Sequence, residues 1–377
     1  MPVSRNWLLA STVLLLAGCD SKPPVLTVGV LVAQSGPSGA RGKDLLNGAT
    51  LAAEEINHAD FKVDGKPLTI QIKAADDHGD VDGAKAEAQA FVDAGVNAVI
   101  GPVNSNQAAA AIPIVATKGL PELLTATSAS LTTLGKGNVL RLLANDDQQG
   151  RAVASFAAET LKATRIGIII EKSDYGHGLD TAVLAGLDKL HLAPVISAEV
   201  AEKSPVTQET ITSFRAAKVD TILFLDREPQ LVGLLDQLEK TGWLDVTIVG
   251  TNVIRNKSLA QRPVAIKGLY ATATAIDAKE FPEGKTFLAS FQKRFGSDPV
   301  WGAQYAYDAV YALADAARQG RSLEPATLVQ TLKRIEPVTR VNQQMRFAPS
   351  GEQIYPNIAV YRSVQSSWAL QLMSANW

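Results

Sequence analysis

The segment SGPSGARGKD, residues 35–44, contains residue types that can cradle a phosphate group. It joins an apolar, strand-like run to a helix-like stretch, which is the setting of the P-loop motif G-x-x-x-x-G-K-[ST]. Here Gly36 and Gly42 enclose one residue too many, and Asp44 follows Lys43 where the motif needs a hydroxyl. Both departures argue against a nucleotide site. We therefore interpret the segment as a strand-to-helix loop whose glycines let the backbone approach some other ligand.

Motifs of the common enzyme and cofactor sites are missing from the sequence. No G-x-G-x-x-G follows a strand-like run, and neither G-x-S-x-G nor H-E-x-x-H occurs. His78 lies among Asp76, Asp77 and Asp80, a pattern typical of a solvated loop after a strand, with a metal cluster as the alternative. We expect no catalytic residues, no metal and no cofactor.

The first residues have the pattern of a secretory signal. Arg5 precedes a short apolar run that ends in small residues. The stretch LAGC, residues 16–19, is similar to a bacterial lipobox, which implies cleavage after residue 18 and acylation of Cys19. The alternative is a cleaved signal with an incidental cysteine. Asp20 resembles an inner-membrane retention signal of some Gram-negative lipoproteins. We therefore expect a lipid-anchored protein on the periplasmic side of the bacterial cell membrane, with residues 19–25 as a linker.

Composition restricts the remaining function classes. The formal charge of -2 at pH 7 argues against a nucleic-acid partner. Cys19 is the only cysteine, so no internal disulfide can support the fold. After residue 18 no run reaches the ~18 apolar residues that a membrane span requires, so the lipid would be the only membrane contact.

Strand-like and helix-like segments alternate after residue 25. Alternation of this kind predicts an α/β fold with parallel sheets built from βαβ units. The pattern pauses over the loop-rich residues 128–151 and restarts at Arg165. Because residues 26–39 and 165–178 look like equivalent openings, we expect two doubly wound lobes whose strand ends face a shared crevice. The strand-like runs are residues 26–34, 68–77, 98–103, 122–127, 165–172, 195–200, 221–226 and 246–251.

An ordered set of short motifs resembles the type I periplasmic solute-binding proteins of ABC importers, specifically the branched-chain amino-acid (Leu/Ile/Val) group. Each motif is weak alone, but together they cover nearly all of the chain after the signal. They are SGP with NGA (35–37, 47–49), AADDHGD (74–80), VIGPVNS (99–105), ATSASLT (126–132), IIIEKSDYGHGL (168–179), VGTN (249–252) and DPVWGAQYAYDAVYALADA (298–316).

The resemblance implies two lobes joined by a three-crossover hinge. The N-terminal lobe would comprise residues 26–143 and 272–348, and the C-terminal lobe residues 144–271 and 349–377. A small solute would be trapped between the lobes by hinge closure and delivered to ABC permease subunits by a monomeric protein. The alternative is a ligand-sensing envelope protein of the same fold that acts through a partner.

The resemblance also implies contacts from the N-terminal lobe. Ser105 would bind the ligand carboxylate together with the N-terminus of the helix that it opens, and the alternative is a simple helix cap. Ala126, Thr127 and Ser128 would supply a carbonyl, a hydroxyl and a backbone N–H, with Thr127 and Ser128 competing for the hydroxyl role. Trp301 matches an aromatic residue of the side-chain pocket.

In the C-terminal lobe Tyr175 matches a cleft-facing tyrosine. Asn252 stands where amino-acid binders place an acid against the α-ammonium group. Arg41 and Arg227 replace or displace family aromatics at the cleft rim, unless both point to solvent. Because arginine can bind carboxylates in a bidentate manner, we expect an organic anion at the expense of an aliphatic amino acid, with an amide as a further alternative.

Overall fold

The computed structural model describes residues 23–36, 38–201, 204–336, 339–342 and 344–375. The predicted signal peptide and Cys19 lie outside these residues. No helix in the described part of the chain is long and apolar enough to cross a membrane.

Strands and helices alternate along most of the chain, as the sequence predicts. The strands are β1 (Val25–Val32), β2 (Lys62–Val63), β3 (Lys66–Pro67), β4 (Thr69–Asp76), β5 (Ala98–Ile100), β6 (Glu122–Leu124), β7 (Val139–Arg141), β8 (Ile166–Lys172), β9 (Ile196–Ala201), β10 (Thr221–Leu225), β11 (Thr247–Gly250), β12 (Gly268–Ala273), β13 (Ile358–Val364) and β14 (Ser367–Ser374). The helices are α1 (Gly39–His58), α2 (Val81–Asp93), α3 (Ser105–Val115), α4 (Leu131–Leu134), α5 (Asp146–Ser155), α6 (Asp174–Lys189), α7 (Gln208–Ala216), α8 (Glu228–Thr241), α9 (Lys257–Gln261), α10 (Gly284–Phe295), α11 (Ala303–Gly320) and α12 (Pro325–Arg334).

The first sheet is parallel throughout, with strand order β4-β1-β5-β6-β7. Strand β1, between β4 and β5, is buried on both faces from Val28 onward, as expected when helices cover a parallel sheet. Val28 and Val30 face a core shared with α1 and α11, whereas Leu31 faces a smaller core shared with α2 and α3. This sheet and its helices form the N-terminal lobe.

The second sheet has the order β14-β13-β12-β11-β10-β8-β9. The strands β8 to β12 are parallel, while β13 pairs in antiparallel orientation with both β12 and β14. Helices α5 to α9 lie with this sheet, which forms the C-terminal lobe. The predicted class, two doubly wound α/β lobes, is confirmed.

The chain crosses between the sheets three times. It leaves the first sheet after β7, returns after β12 to place α10 and α11 against α1, and crosses back before β13. The second and third crossings lie a few residues later than predicted. Strand β12 continues to Ala273 in the second sheet, and Gly351 still accepts a backbone hydrogen bond from Arg141 of the first sheet.

Residues 128–151 are less loop-rich than the sequence suggests, because they contain α4, β7 and the start of α5. Strand β7 has only three residues and ends at Arg141, an unusual residue for a strand edge that is fully buried. Its guanidinium pairs with Glu352 at 2.9 Å, so a distant carboxylate makes this burial tolerable.

Close packing of α1 against α11 depends on a glycine. A Cβ atom at Gly48 would overlap the backbone carbonyl oxygen of Ala303, at the first residue of α11. Backbone atoms cannot yield as a flexible side chain can, so the two helices can meet at this distance only if position 48 has no side chain. Helix α11 follows directly on Trp301, and the contact therefore also positions one wall of the cleft.

Gly48→Val should lower the free energy of unfolding by about 1–3 kcal/mol, because the helices must separate to admit the side chain. Gly233→Ala is the matched control, since Gly233 lies in α8 with open space around its Cβ position. That variant should gain about 0.5–1 kcal/mol from helix propensity. Chemical denaturation checks both values, and equal stability of Gly48→Val and wild type would contradict the packing argument.

Candidate functional site

The loops at the carboxyl ends of the parallel strands carry most of the predicted contact residues. These loops follow β1, β5 and β6 in the first sheet and β8, β10 and β11 in the second. Ligands of open parallel sheets bind at this edge. The structure places the following residues in these loops or in the first turn of the next helix: Arg41, Ser105, Ala126, Thr127, Ser128, Tyr175, Arg227 and Asn252.

Three loops of the N-terminal lobe meet at the start of α3. Ser105 is the first helical residue and Asn104 is the N-cap, so Ser105 is not a simple cap. Oγ of Ser105 accepts a hydrogen bond from the backbone N–H of Ser128 at 3.2 Å. Oγ of Ser38 donates to Oδ1 of Asn104 at 3.2 Å. The positive end of the α3 dipole, where backbone N–H groups lack helical partners, thus lies between two loops that carry predicted contact residues.

Arg141 fixes the loop that contains Ala126 and Ser128. Its guanidinium donates to the carbonyl oxygen of Ala126 and, at 2.8 Å, to that of Ser128. The carbonyl of Ala126, which the family resemblance assigns to the ligand, therefore already has a donor. A carbonyl oxygen has two lone pairs, so this carbonyl can accept one further hydrogen bond.

Asp146, the first residue of α5, places an unpredicted acid beside this loop. Its carboxylate accepts a hydrogen bond from the hydroxyl of Thr127, and its backbone N–H donates to the Thr127 carbonyl at 2.9 Å. Oδ1 of Asp146 is buried and has no hydrogen-bond partner among the described residues. Burial raises the pKa of Asp146. Asp146 is thus an acid that the sequence-based prediction, which considered only the Asn252 position, did not include.

Tyr175 and Arg227 form the opposite wall in the C-terminal lobe. The hydroxyl of Tyr175 is 2.9 Å from Oγ1 of Thr251, and the guanidinium of Arg227 lies 5.1 Å from the centre of the Tyr175 ring. Nε of Arg227 also pairs with Oε1 of Glu171 at 2.9 Å. The Arg227 side chain is 48% exposed at the rim, whereas Glu171 is buried. This ion pair already compensates the charge of Arg227.

Asn252 presents an unpartnered acceptor to the same region. It begins the short 3-10 turn Asn252–Ile254 after β11, and its backbone carbonyl accepts from the N–H of Arg255 at 3.3 Å. Its side-chain Oδ1 is buried and lacks a hydrogen-bond partner among the described residues. A buried acceptor left without a donor costs stability, which is the usual sign of a group that awaits a ligand or water.

Arg41 lies over the ring of Trp301, with its guanidinium carbon 5.7 Å from the ring centre. Asp44 fixes this arrangement, since its Oδ2 accepts the backbone N–H groups of Val300 and Trp301 at 2.7 and 2.8 Å. Asp44, the residue that departs from the P-loop motif, therefore holds the Trp301 loop against α1 through these two hydrogen bonds.

A cavity of about 520 Å³ opens beside Arg41 between the two lobes. Its walls include Trp301 from the N-terminal lobe and Trp368 from the β13–β14 hairpin. At its edge Arg255 makes a bidentate ion pair with Asp277, with N–O distances of 2.8 and 3.0 Å. This volume falls within the ~300–1,000 Å³ typical of small-molecule sites.

Several cleft residues were missed by the sequence-based prediction for identifiable reasons. Asp146 lies in the stretch interpreted as loop, although Asn145 and Gln148 form a capping box that marks a helix start. Glu171 looked like the polar end of a strand. Asp277 lies in the second crossing and Trp368 in the β13–β14 hairpin, and the sequence carries no motif in either segment.

Among the described residues, no group of three or more His, Asp or Glu side chains is placed to hold a metal ion. The cluster around His78 instead organises its own loop. Oδ1 of Asp76 accepts the backbone N–H groups of Gln34 and His78, each at 2.8 Å.

Two lobes with facing strand ends, and unpartnered polar groups between them, define the class of two-lobed solute-binding proteins. The family described as periplasmic binding protein matches residues 25–367, and the chain belongs to this family. The Leu/Ile/Val-binding protein homolog 1 of Brucella suis is 25% identical over 336 residues, which are 89% of each chain.

Solved structures show the same architecture, the type I periplasmic binding protein fold. An ABC transporter substrate-binding protein from Desulfitobacterium hafniense, in complex with Leu, superposes with a TM-score of 0.77 at 25% identity, covering 92% of this chain and 100% of that chain. A solute-binding protein from Rhodopseudomonas palustris, in complex with 3,4-dihydroxybenzoic acid, has a TM-score of 0.75 at 19% identity and covers 93% of this chain and 98% of that chain. The latter supports the fold alone.

Asp226 gives the folded protein a pH-dependent stability term. It is fully buried, with one hydrogen bond from the N–H of Arg227 at 2.6 Å, and burial raises its pKa to about 6. Between pH ~4 and ~6 the folded protein therefore holds a proton that the unfolded chain has released, so stability falls as pH rises through this window.

Asp226→Asn removes this titration. Relative to wild type, the variant should gain about 1–3 kcal/mol in unfolding free energy between pH 4 and pH 7. Asp245→Asn is the control, because the side chain of Asp245 is 95% exposed. Denaturant titrations at both pH values measure the difference, and a constant difference between Asp226→Asn and wild type would refute the assignment.

Proposed function

We propose that the protein captures a small polar organic solute, such as a carboxylate, amino acid or amide, between its lobes and delivers it to the permease of an ABC transporter. The observation that carries this proposal is the set of unpartnered polar atoms at the strand ends, Oδ1 of Asp146 and Oδ1 of Asn252, together with the start of α3. The Leu complex of the Desulfitobacterium hafniense relative supports it.

Each part of the cleft has a distinct role in this proposal. Ser105 and the first N–H groups of α3 bind a carboxylate of the solute. Asp146 and Asn252 accept hydrogen bonds from its polar or ammonium group. Tyr175 contacts the solute from the C-terminal lobe when the hinge closes, and Trp301 borders its hydrocarbon part.

The remaining parts of the proposal rest on the sequence and the family. Acylation of Cys19 would hold the protein at the periplasmic face of the inner membrane as a monomer, and its binding reaction would release the solute chemically unchanged. The division into two lobes that the resemblance implies is part of this proposal, with the second and third crossings a few residues after 272 and 349.

A thermal-shift screen with amino acids, carboxylates and amides tests the proposal. At one hundred times its Kd a solute stabilises the folded protein by about 2.7 kcal/mol, so at least one compound should raise Tm clearly. Ser105→Ala should weaken binding of that compound about tenfold, because one hydrogen bond is lost. Ser213→Ala, at an exposed position of α7, should leave it unchanged. Failure of every compound to raise Tm would contradict the proposal.

A further inference from the structure

Arg41 is a cation of the cleft that pairs with no anion among the described residues. Arg227 is paired with Glu171, and Arg255 is paired with Asp277. For Arg41 the structure shows neither a hydrogen bond nor an ion pair to any described residue, and its guanidinium lies over the face of Trp301. A cation–π contact compensates a desolvated charge only in part.

The surroundings of Arg41 disfavour its positive charge. Burial is the main cause that lowers the pKa of Arg41, and the nearby charges of Arg227 and Arg255 lower it further. Arginine nevertheless stays protonated in proteins, so the folded chain keeps an uncompensated charge here. An anion bound beside Arg41 would remove this cost, and an apolar group would not.

Space for such an anion exists next to the guanidinium. Arg41 lines the 520 Å³ cavity together with Ala278, Leu288, Trp301 and Trp368. The wall also contains polar residues, among them Asn256 and Ser367. Because the Arg41 side chain is partly buried, an ion pair formed here is screened less than one at the fully exposed surface. Two other charged residues on the cavity wall, Lys279 and Asp298, have opposite signs and do not change its net charge.

The cavity lies close to the proposed carboxylate site at α3. Ser38, one turn before Arg41, is hydrogen-bonded to Asn104, the residue directly before Ser105. The start of α1 and the start of α3 are therefore adjacent. A solute whose first carboxylate lies at Ser105 can reach Arg41 with a second polar group through a short chain.

We propose that the solute carries two carboxylates joined by a short aliphatic chain, with one bound at Ser105 and the other by the guanidinium of Arg41. This inference rests on the proposed function and specifies the class of its solute. A leucine-like side chain would instead pack against the unpaired guanidinium and leave its charge buried. Acidic amino acids and unsubstituted diacids both carry two carboxylates. Only the acidic amino acids also carry an ammonium group, which would donate hydrogen bonds to Asp146 and Asn252.

Isothermal titration of the purified protein with L-glutamate, glutarate, L-glutamine, L-leucine and benzoate tests the inference. L-glutamate or glutarate should bind at least tenfold more tightly than the other three compounds, because each of those lacks a second carboxylate. Glutamine is the most stringent comparison, since it has the shape of glutamate without the second charge. Tighter binding of glutamate than glutarate identifies an acidic amino acid as the solute, and the reverse order identifies a diacid. Both orders support the two-carboxylate class.

Arg41→Met should weaken binding of the preferred diacid about 10- to 100-fold, the usual effect of losing charged hydrogen bonds. Its Tm without solute should be no lower than that of wild type, since an uncompensated charge has been removed. Arg41→Lys, which retains the charge without the planar fork, should bind with intermediate affinity and serves if Arg41→Met does not fold. Lys43→Ala removes an exposed positive charge two residues away and should bind like wild type.

Tightest binding by leucine, glutamine or benzoate would overturn this inference while leaving solute capture intact. Unchanged diacid binding by both Arg41 variants would overturn it as well. A lack of binding by all five compounds, combined with no Tm rise in the wider screen, would instead remove the proposed function itself.

Discussion

The ion pair between Arg141 and Glu352 holds together the parts of the chain from which the cleft is built. Arg141 ends the last strand of the first sheet, is fully buried, and also binds the carbonyls of Ala126 and Ser128. Glu352 lies on the third crossing and accepts further hydrogen bonds from Thr132 and Asn145. This ion pair thus connects a binding loop, the start of α5 and a hinge segment. Removing Glu352 would leave the buried charge of Arg141 without compensation, which is costly.

Charges in the cleft are compensated to different degrees, and the selectivity that we propose rests on this difference. Two arginines have protein carboxylates close to their guanidinium groups, so they shape the walls and the edge of the hinge. Arg41 lies over Trp301 and has no such carboxylate among the described residues, while Asp44 holds the tryptophan loop by accepting its backbone N–H groups. A side chain with an unpaired charge favours solutes that complete the pair and disfavours those that cannot.

Most of the fold could be predicted from the sequence because its strands are apolar runs between helical segments. The ordered motifs also located the loops at the strand ends. The Arg141–Glu352 pair could not be predicted, since its members are 211 residues apart and neither lies in a motif. Strand β7 was missed because three residues ending in arginine carry no apolar pattern. Asp146 was missed with it, although the capping box of Asn145 and Gln148 was readable. Which arginine has a partner depends on side-chain geometry and not on local sequence.

Hydrogen-exchange mass spectrometry tests most directly whether the solute is held between the two lobes. The protein would be compared with and without the compound that raises Tm most. We predict that binding slows exchange in both lobes together. The affected segments are residues 38–42, 104–108 and 126–130 of the N-terminal lobe and residues 173–177 and 250–256 of the C-terminal lobe. Protection confined to one lobe, or to surfaces remote from these strand ends, would contradict it.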